Sequence, residues 1–231
     1  MFKEMVLENL GIDLSDDALK QFDRYYDALI SFNKHTNLTR ITQREDVDIK
    51  HFYDSLALVK TIDLSNVKTL CDMGAGAGFP SIPLKIAYPH LKVTIIDSLG
   101  KRITFLKQLI DTLDLKDVHL VYDRIENHAK SHQQTYDVVT ARALGKLPLI
   151  LEMGMPMVKK DGCFIAYKGS NYVDELIESK KALQILKGRL EVERSYELPD
   201  DKGGRVHLLI RKQNHVQGYP RSFAAMKKKP L

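Results

Sequence analysis

Three glycines at alternate positions, led by an acid, make Asp72-Met73-Gly74-Ala75-Gly76-Ala77-Gly78-Phe79-Pro80 the most constraining stretch of this chain. Val67 to Cys71 ahead of it reads as a short buried strand, and Ser81 to Tyr88 behind it as a helix. A strand that turns tightly into a helix through residues without a Cβ lets a ligand lie against bare backbone at a helix N-terminus. Dinucleotide sites use G-x-G-x-x-G, whose third glycine would fall on Phe79 here. The loop alone leaves open a dinucleotide, another nucleotide-bearing cofactor, or an ordinary strand-to-helix turn with no ligand.

The rest of the chain narrows the choice. Ser15 is placed to cap a helix that opens with Asp16 and Asp17, and Leu19, Phe22, Tyr26, Leu29 and Ile30 repeat at helical steps until about Asn33. A second helix is predicted over Val47 to Lys60, burying Phe52, Leu56 and Val59. From Val67 the texture changes to alternation. Strands are predicted at 67–71, 91–96, 118–122, 136–140, 163–167, 191–198 and 206–210, with helices at 81–88, 101–113, 147–158 and 172–186 between them. Such alternation implies an α/β fold, a mostly parallel seven-stranded sheet covered by helices on both faces, with an antiparallel final pair. The expected layout is a helical extension over 1–62, a nucleotide-type domain over 63–212 and a basic tail over 213–231.

In open sheets of this kind ligands lie beyond the carboxyl ends of the strands. The first end supplies Gly74, Gly76, Gly78 and Phe79. The second supplies Asp97, 25 residues after Asp72, where an acid accepts ribose hydroxyls. The third is followed by Asp123-Arg124-Ile125-Glu126, where an adenine would find backbone N–H groups and an apolar edge. The fourth ends in Thr140-Ala141-Arg142-Ala143. Each residue also has a plainer reading: Asp97 as a cap for the helix near Lys101, Glu126 as an exposed helix-start acid, Arg142 as a partner for Asp137. Four successive strand ends carrying such residues favour one nucleotide site. The spacing Asp72-x-Gly74-x-Gly76-x-Gly78 is that of class I methyltransferases, which bind S-adenosylmethionine.

The fourth strand end also separates chemistries. Enzymes that methylate an exocyclic amine place Asn/Asp-Pro-Pro-aromatic there; Thr-Ala-Arg-Ala does not accept amine hydrogens. Attack at cytosine carbon needs a cysteine nucleophile, yet Cys71 and Cys163 both fall inside predicted strands and read as core residues. An acceptor with its own lone pair, such as guanine N7, needs neither.

Composition adds the partner. The 231 residues carry a formal charge of +5 and 44% apolar side chains, enough for one sizeable core. Neither a membrane span nor a signal peptide is evident, and a reducing cytoplasm is the expected compartment. Arg211, Lys212, Arg221, Lys227, Lys228 and Lys229 stand beyond residue 210 with no acid among them, leaving 29 basic against 30 acidic side chains in residues 1–210. The excess charge is a property of the tail, as expected for contact with a polyanion; a merely solubilising tail is the alternative.

With these features in place, the chain resembles the RsmG/GidB family. The resemblance rests on Asp72 to Ile86, Asn37-Leu38-Thr39, His51-Phe52-Tyr53-Asp54-Ser55-Leu56, Asp97-Ser98-Leu99-Gly100-Lys101-Arg102, Arg142-Ala143 and Tyr219-Pro220-Arg221, so it covers nearly the whole chain. It implies a Rossmann-like class I fold and a bacterial methyltransferase that uses S-adenosylmethionine on N7 of one guanine in small-subunit (16S) ribosomal RNA. It carries cofactor contacts onto Gly74, Phe79, Asp97, Ser98, Ile125, Glu126 and Arg142. Lys101, Arg102, Arg221, Lys227, Lys228 and Lys229 are the candidate RNA contacts. His51, Asp54 and Lys168 are also family-like positions, without an assignable role. Ser81 stands where a glycine is usual and Phe32 where tryptophan is common. A monomer without metal is expected. A small-molecule or protein methyltransferase, or a non-catalytic RNA-binding assembly factor, are the competing readings.

Overall fold

The computed structural model describes residues 2–231. Seven strands, β1 (Thr69–Met73), β2 (Lys92–Asp97), β3 (Val118–Tyr122), β4 (Tyr136–Arg142), β5 (Val158–Lys168), β6 (Gly188–Glu197) and β7 (Gly204–Lys212), form one sheet in the order β3-β2-β1-β4-β5-β7-β6. All neighbours run parallel except the last three, where β7 lies antiparallel between β5 and β6. The strand order reverses beside β1, which puts the glycine loop at the switch point.

Alternate residues of each strand point to opposite faces, and the two cores follow that alternation. Leu70, Val138, Cys163 and Ile165 face a cluster built with the N-terminal helices and the helices Ser81–Ala87 and Gly100–Thr112. Cys71, Val139, Phe164 and Ala166 face a second cluster with the Leu147–Gly154 helix and the C-terminal helix Phe223–Lys228. Both cysteines are buried and free, and burial pushes both thiols up, Cys163 to about 12.

The amino-terminal part is helical, as the periodicity predicts, with differences in detail. A helix at Phe2–Leu10 precedes the expected one. The long helix Asp16–Thr36 is capped by Ser15, whose Oγ accepts from the Ala18 N–H at 3.2 Å, and it runs past Asn33 to a left-handed Asn37. Its buried face is Ala18, Phe22, Tyr25 and Leu29. Tyr25, not Tyr26, is the tyrosine turned inward, one step round the helix.

The next helical segment starts at Arg44, three residues before the predicted Val47, and changes pitch along its length. Arg44–Val47 is α-helical, Asp48–Tyr53 π-helical, Asp54–Leu56 α-helical and Ala57–Lys60 a 3-10 turn. Phe52 and Leu56 are buried as expected, while Val59 is half-buried.

The carboxyl-terminal stretch is ordered against the body. Met226 is buried, and Tyr219, Phe223 and Leu231 pack on the second core. No helix among the described residues is long and apolar enough to cross a membrane.

Packing of this second core gives a direct test. A Cβ on Gly154 would stand 2.5 Å from Cε2 of the buried Phe164 ring and 3.1 Å from Met73 Cε. Gly154→Ala should therefore destabilise by about 1–3 kcal/mol through overpacking, read as a lowered urea midpoint with an unchanged slope.

Candidate functional site

The loop between β1 and the Ser81–Ala87 helix is held from both ends. Asp72, fully buried, accepts the Ser81 backbone N–H at 3.1 Å with one oxygen and the Thr140 hydroxyl at 3.1 Å with the other. It thus ties β1, β4 and the helix start together, and burial raises its carboxyl to about 7. From the opposite side the Tyr25 hydroxyl donates to the Ala77 carbonyl at 2.5 Å.

Within this frame the glycines do different work. A Cβ at Gly78 would come within 2.8 Å of both Ile82 Cγ1 and the Tyr25 hydroxyl, so that position serves close packing of the helices. At Gly74 it would meet Leu144 Cδ1 at 2.6 Å. Gly76, at φ +62°, has nothing within 4 Å of the missing Cβ. It is the open side of the loop, with room for a ligand to approach the backbone.

Asp97 ends β2 beside that opening and is buried. Its Oδ1 accepts the Leu99 N–H at 2.9 Å; its Oδ2 lies 3.4 Å from the Gly76 nitrogen and 3.1 Å from Arg102 Nη1. The carboxylate thus orders the turn into the Gly100–Thr112 helix and also faces the loop. A cleft of about 290 Å³ continues from there. Of the predicted residues it is lined by Gly74, Asp97, Ser98, Arg102, Ile125 and Glu126, joined by Leu144, Leu149, Met153 and Phe223. Glu126 is not an exposed acid. It is buried in the first turn of the Ile125–Ser131 helix and accepts from Arg124 Nε at 2.5 Å. A cavity of similar size, about 300 Å³, lies at the amino ends of the strands by Thr69, Lys92 and Val118, where open α/β sheets do not bind ligands.

Phe79 and Arg142 belong to a second constellation behind the loop. Arg142 Nη1 donates to Asp54 Oδ2 at 2.8 Å, Nη2 lies 3.2 Å from His51 Nδ1, and the guanidinium sits 5.0 Å over the Phe79 ring. Asp137, the partner weighed for Arg142 from the sequence, instead accepts from the Thr69 N–H and from Lys159. A guanidinium only donates, so His51 Nδ1 accepts and Nε2 carries the hydrogen toward Thr39 Oγ1, 2.9 Å away. Burial, aided by the Arg142 charge, pushes the His51 imidazole down to about 3. Asp54 also accepts from the Tyr196 hydroxyl at 3.0 Å; Tyr196 meets His207 Nε2 at 2.9 Å, and His207 Nδ1 meets Thr61 at 2.8 Å. His207 is held neutral by its burial, near 3. His51 and Asp54 thus gain a physical role: they orient Arg142.

Several basic candidates have partners. Arg221 donates to buried Glu152 through its backbone N–H, Nε and Nη2. Arg211 pairs with Glu191, and Lys212 is buried with Nζ on the Met155 and Pro156 carbonyls. Lys101 donates to the Thr36 carbonyl from an exposed position, and Arg102 is committed to Asp97. Lys168 bonds Gly145 O at 2.8 Å and Glu175 at 2.6 Å. Lys227, Lys228 and Lys229 are exposed.

The fold is shared with solved methyltransferase structures. A SAM-dependent methyltransferase from Aquifex aeolicus superposes with a TM-score of 0.56 at 19% identity, over 77% of this chain and 97% of its own. The 16S rRNA (adenine(1408)-N(1))-methyltransferase from Catenulisporales acidiphilia superposes at 0.54 and 15% identity, over 65% and 87%. The sequence goes further. Residues 18–199 match the family GidB, described as rRNA small subunit methyltransferase G. A ribosomal RNA small subunit methyltransferase G from Acholeplasma laidlawii is 52% identical over the full length of both chains, and one from Bacillus subtilis is 45% identical over 97% of this chain and 95% of its own. The chain belongs to the GidB family of rRNA small subunit methyltransferases.

The elevated Asp72 carboxyl makes stability pH-dependent in a defined direction. An unfolded aspartate titrates near 4 and the folded one near 7, so its contribution is complete below about pH 4 and is lost as the pH rises through 7. Urea unfolding of wild type relative to Asp72→Asn should show the wild type losing ground across that window. A difference that is flat with pH would refute the assignment.

Proposed function

We propose that this chain, acting as a monomer in the cytoplasm, transfers the methyl group of S-adenosylmethionine to N7 of a guanine in 16S ribosomal RNA. The observation that carries the reading is the open Gly76 backbone facing Asp97 at the switch point, in a member of this family. Those residues fit the cofactor: bare backbone for its closest approach, a buried carboxylate for ribose hydroxyls, and an apolar stretch at Ile125 for the adenine. Ser98 and Glu126 flank the same cleft. Phe79 and Arg142 act from behind the loop, holding its floor against the N-terminal helices.

S-adenosylmethionine supplies a methyl group on a positively charged sulfur. Guanine N7 attacks with its own lone pair, the N7–methyl bond forms as the sulfur–methyl bond breaks, and no proton has to leave. The surroundings match this economy. His51 has both ring nitrogens engaged and is held neutral, and both thiols are buried, so none of these three is poised as base or nucleophile. Rate then depends on orientation and exclusion of water. The RNA contacts we assign are Lys101, Arg102, Arg221, Lys227, Lys228 and Lys229, with the three terminal lysines exposed and Arg102 and Arg221 serving the fold as well.

Three experiments test this. Labelled S-adenosylmethionine is offered with small subunits, bare ribosomal RNA or total protein, and the RNA is probed for N7-methylguanine by borohydride–aniline cleavage. Label in RNA with a cleavage site is expected; label in protein without cleavage would overturn the reading. In the same preparation Gly76→Asp should lose cofactor binding by calorimetry. Replacing Lys227, Lys228 and Lys229 together by alanine should weaken RNA affinity and flatten its logarithmic salt dependence by up to about 2–3 units, because each neutralised phosphate adds slightly less than one unit to the slope. An unchanged slope would remove these lysines from the interface.

A further inference from the structure

The ordered C-terminal helix reaches a place that neither its charge nor the family comparison assigns. Its first residue, Phe223, lines the same cleft as Asp97 and Glu126. Four features fix it there. Arg221, the residue but one before it, makes three hydrogen bonds to Glu152, whose carboxylate is only 1% exposed. Ser222 caps the helix, its Oγ accepting from the Ala225 N–H. Met226 is buried one turn on. Arg221 Nη2 also reaches the Lys229 carbonyl at 3.0 Å and closes the far end of the helix.

The Phe223 ring also lies close to two cations. The Arg124 guanidinium lies 4.6 Å from its centroid and Lys227 Nζ 5.7 Å away, while Arg124 is steered by Glu126. The cleft is therefore polar at Asp97 and apolar at Ile125, Leu149 and Phe223. That gradient matches a nucleoside, with ribose at one end and a flat base at the other. Phe223 is half-buried, and a base stacked on its exposed part would cover more of it.

We infer that Phe223 is a cofactor-positioning residue that stacks on the adenine, so that the C-terminal helix forms one wall of the adenosyl site. This rests on the cofactor placement proposed above. The helix then has two faces with separate tasks, an aromatic residue toward the cofactor and lysines toward solvent.

The test is calorimetric titration of the full chain with S-adenosylhomocysteine and with 5′-methylthioadenosine, which lacks the amino-acid part. Phe223→Ala and Phe223→Leu should weaken both ligands at least about fivefold, the lower end for base–aromatic stacking. Phe223→Tyr should restore wild-type affinity. Leucine fills the space and keeps the apolar contact, so a loss in that variant with unchanged melting temperature separates stacking from folding. Leucine and alanine variants that bind both ligands as wild type would overturn the inference. If wild type itself binds neither ligand, the cofactor placement fails instead. If wild type binds, Gly76→Asp does not and Phe223 is indifferent, only the present inference falls.

Discussion

The ion pair between Asp54 and Arg142 is the contact on which the arrangement around the glycine loop depends. It joins the end of β4 to a helix that precedes the sheet in sequence, and both side chains are largely shielded from water. A buried pair is stable only when the remaining hydrogen-bonding capacity is met, and losing one partner leaves a charge that costs several kcal/mol. Here the capacity is met by His51, Tyr196 and, at 3.6 Å, Arg205. Segments from the N-terminal helices, the fourth strand and the last hairpin therefore have to assemble before any one of these groups is satisfied. The helical extension is part of the site's foundation.

A second line of support runs through rings. Phe22 and Tyr25 of the long helix each lie 5.0 Å from Phe52, Tyr25 stacks on Phe79 at 5.4 Å, and His51 stacks on Phe79 at 4.4 Å. Tyr25 adds the hydrogen bond to Ala77. The loop is pressed between this aromatic column and the Asp72 carboxylate, which leaves Gly76 as the free face. Rigidity on one side and openness on the other is the preorganisation a backbone-binding site needs.

Much of this was legible from residue order. Alternating strands and helices, the glycine loop and Asp97 at the following strand end are local patterns, set by chemistry within a few residues. Partnerships across long sequence distances were hidden. Arg142 has Asp137 nearby in sequence but pairs with Asp54, and three of the six basic residues beyond position 210 are occupied by Glu191, Glu152 and the carbonyls of Met155 and Pro156. No acid stands within the tail to reveal that. Tyr25 and Tyr26 are neighbours that periodicity alone cannot rank, because one helical step separates the buried face from its margin. Leu144, Leu149 and Phe223 in the cleft had no signal beyond being apolar. The Phe2–Leu10 helix was equally silent, lying too close to the start for a repeat to establish itself.

The π-helical turn at Asp48–Tyr53 has a consequence for how this chain tolerates change. A turn of this pitch holds more residues than an α-turn, and such bulges act as insertions within a helix. It lies immediately ahead of Asp54 and contains His51, and both side chains reach the same guanidinium. Deleting one residue there would let the segment relax to a regular α-helix with its flanks still in phase, because the wide turn is what absorbs the extra residue. Deleting one from a regular α-helical turn would instead rotate everything beyond it by about 100°. The wide turn is therefore the place between residues 44 and 60 where a change in residue count disturbs the facing of Asp54 and Arg142 least.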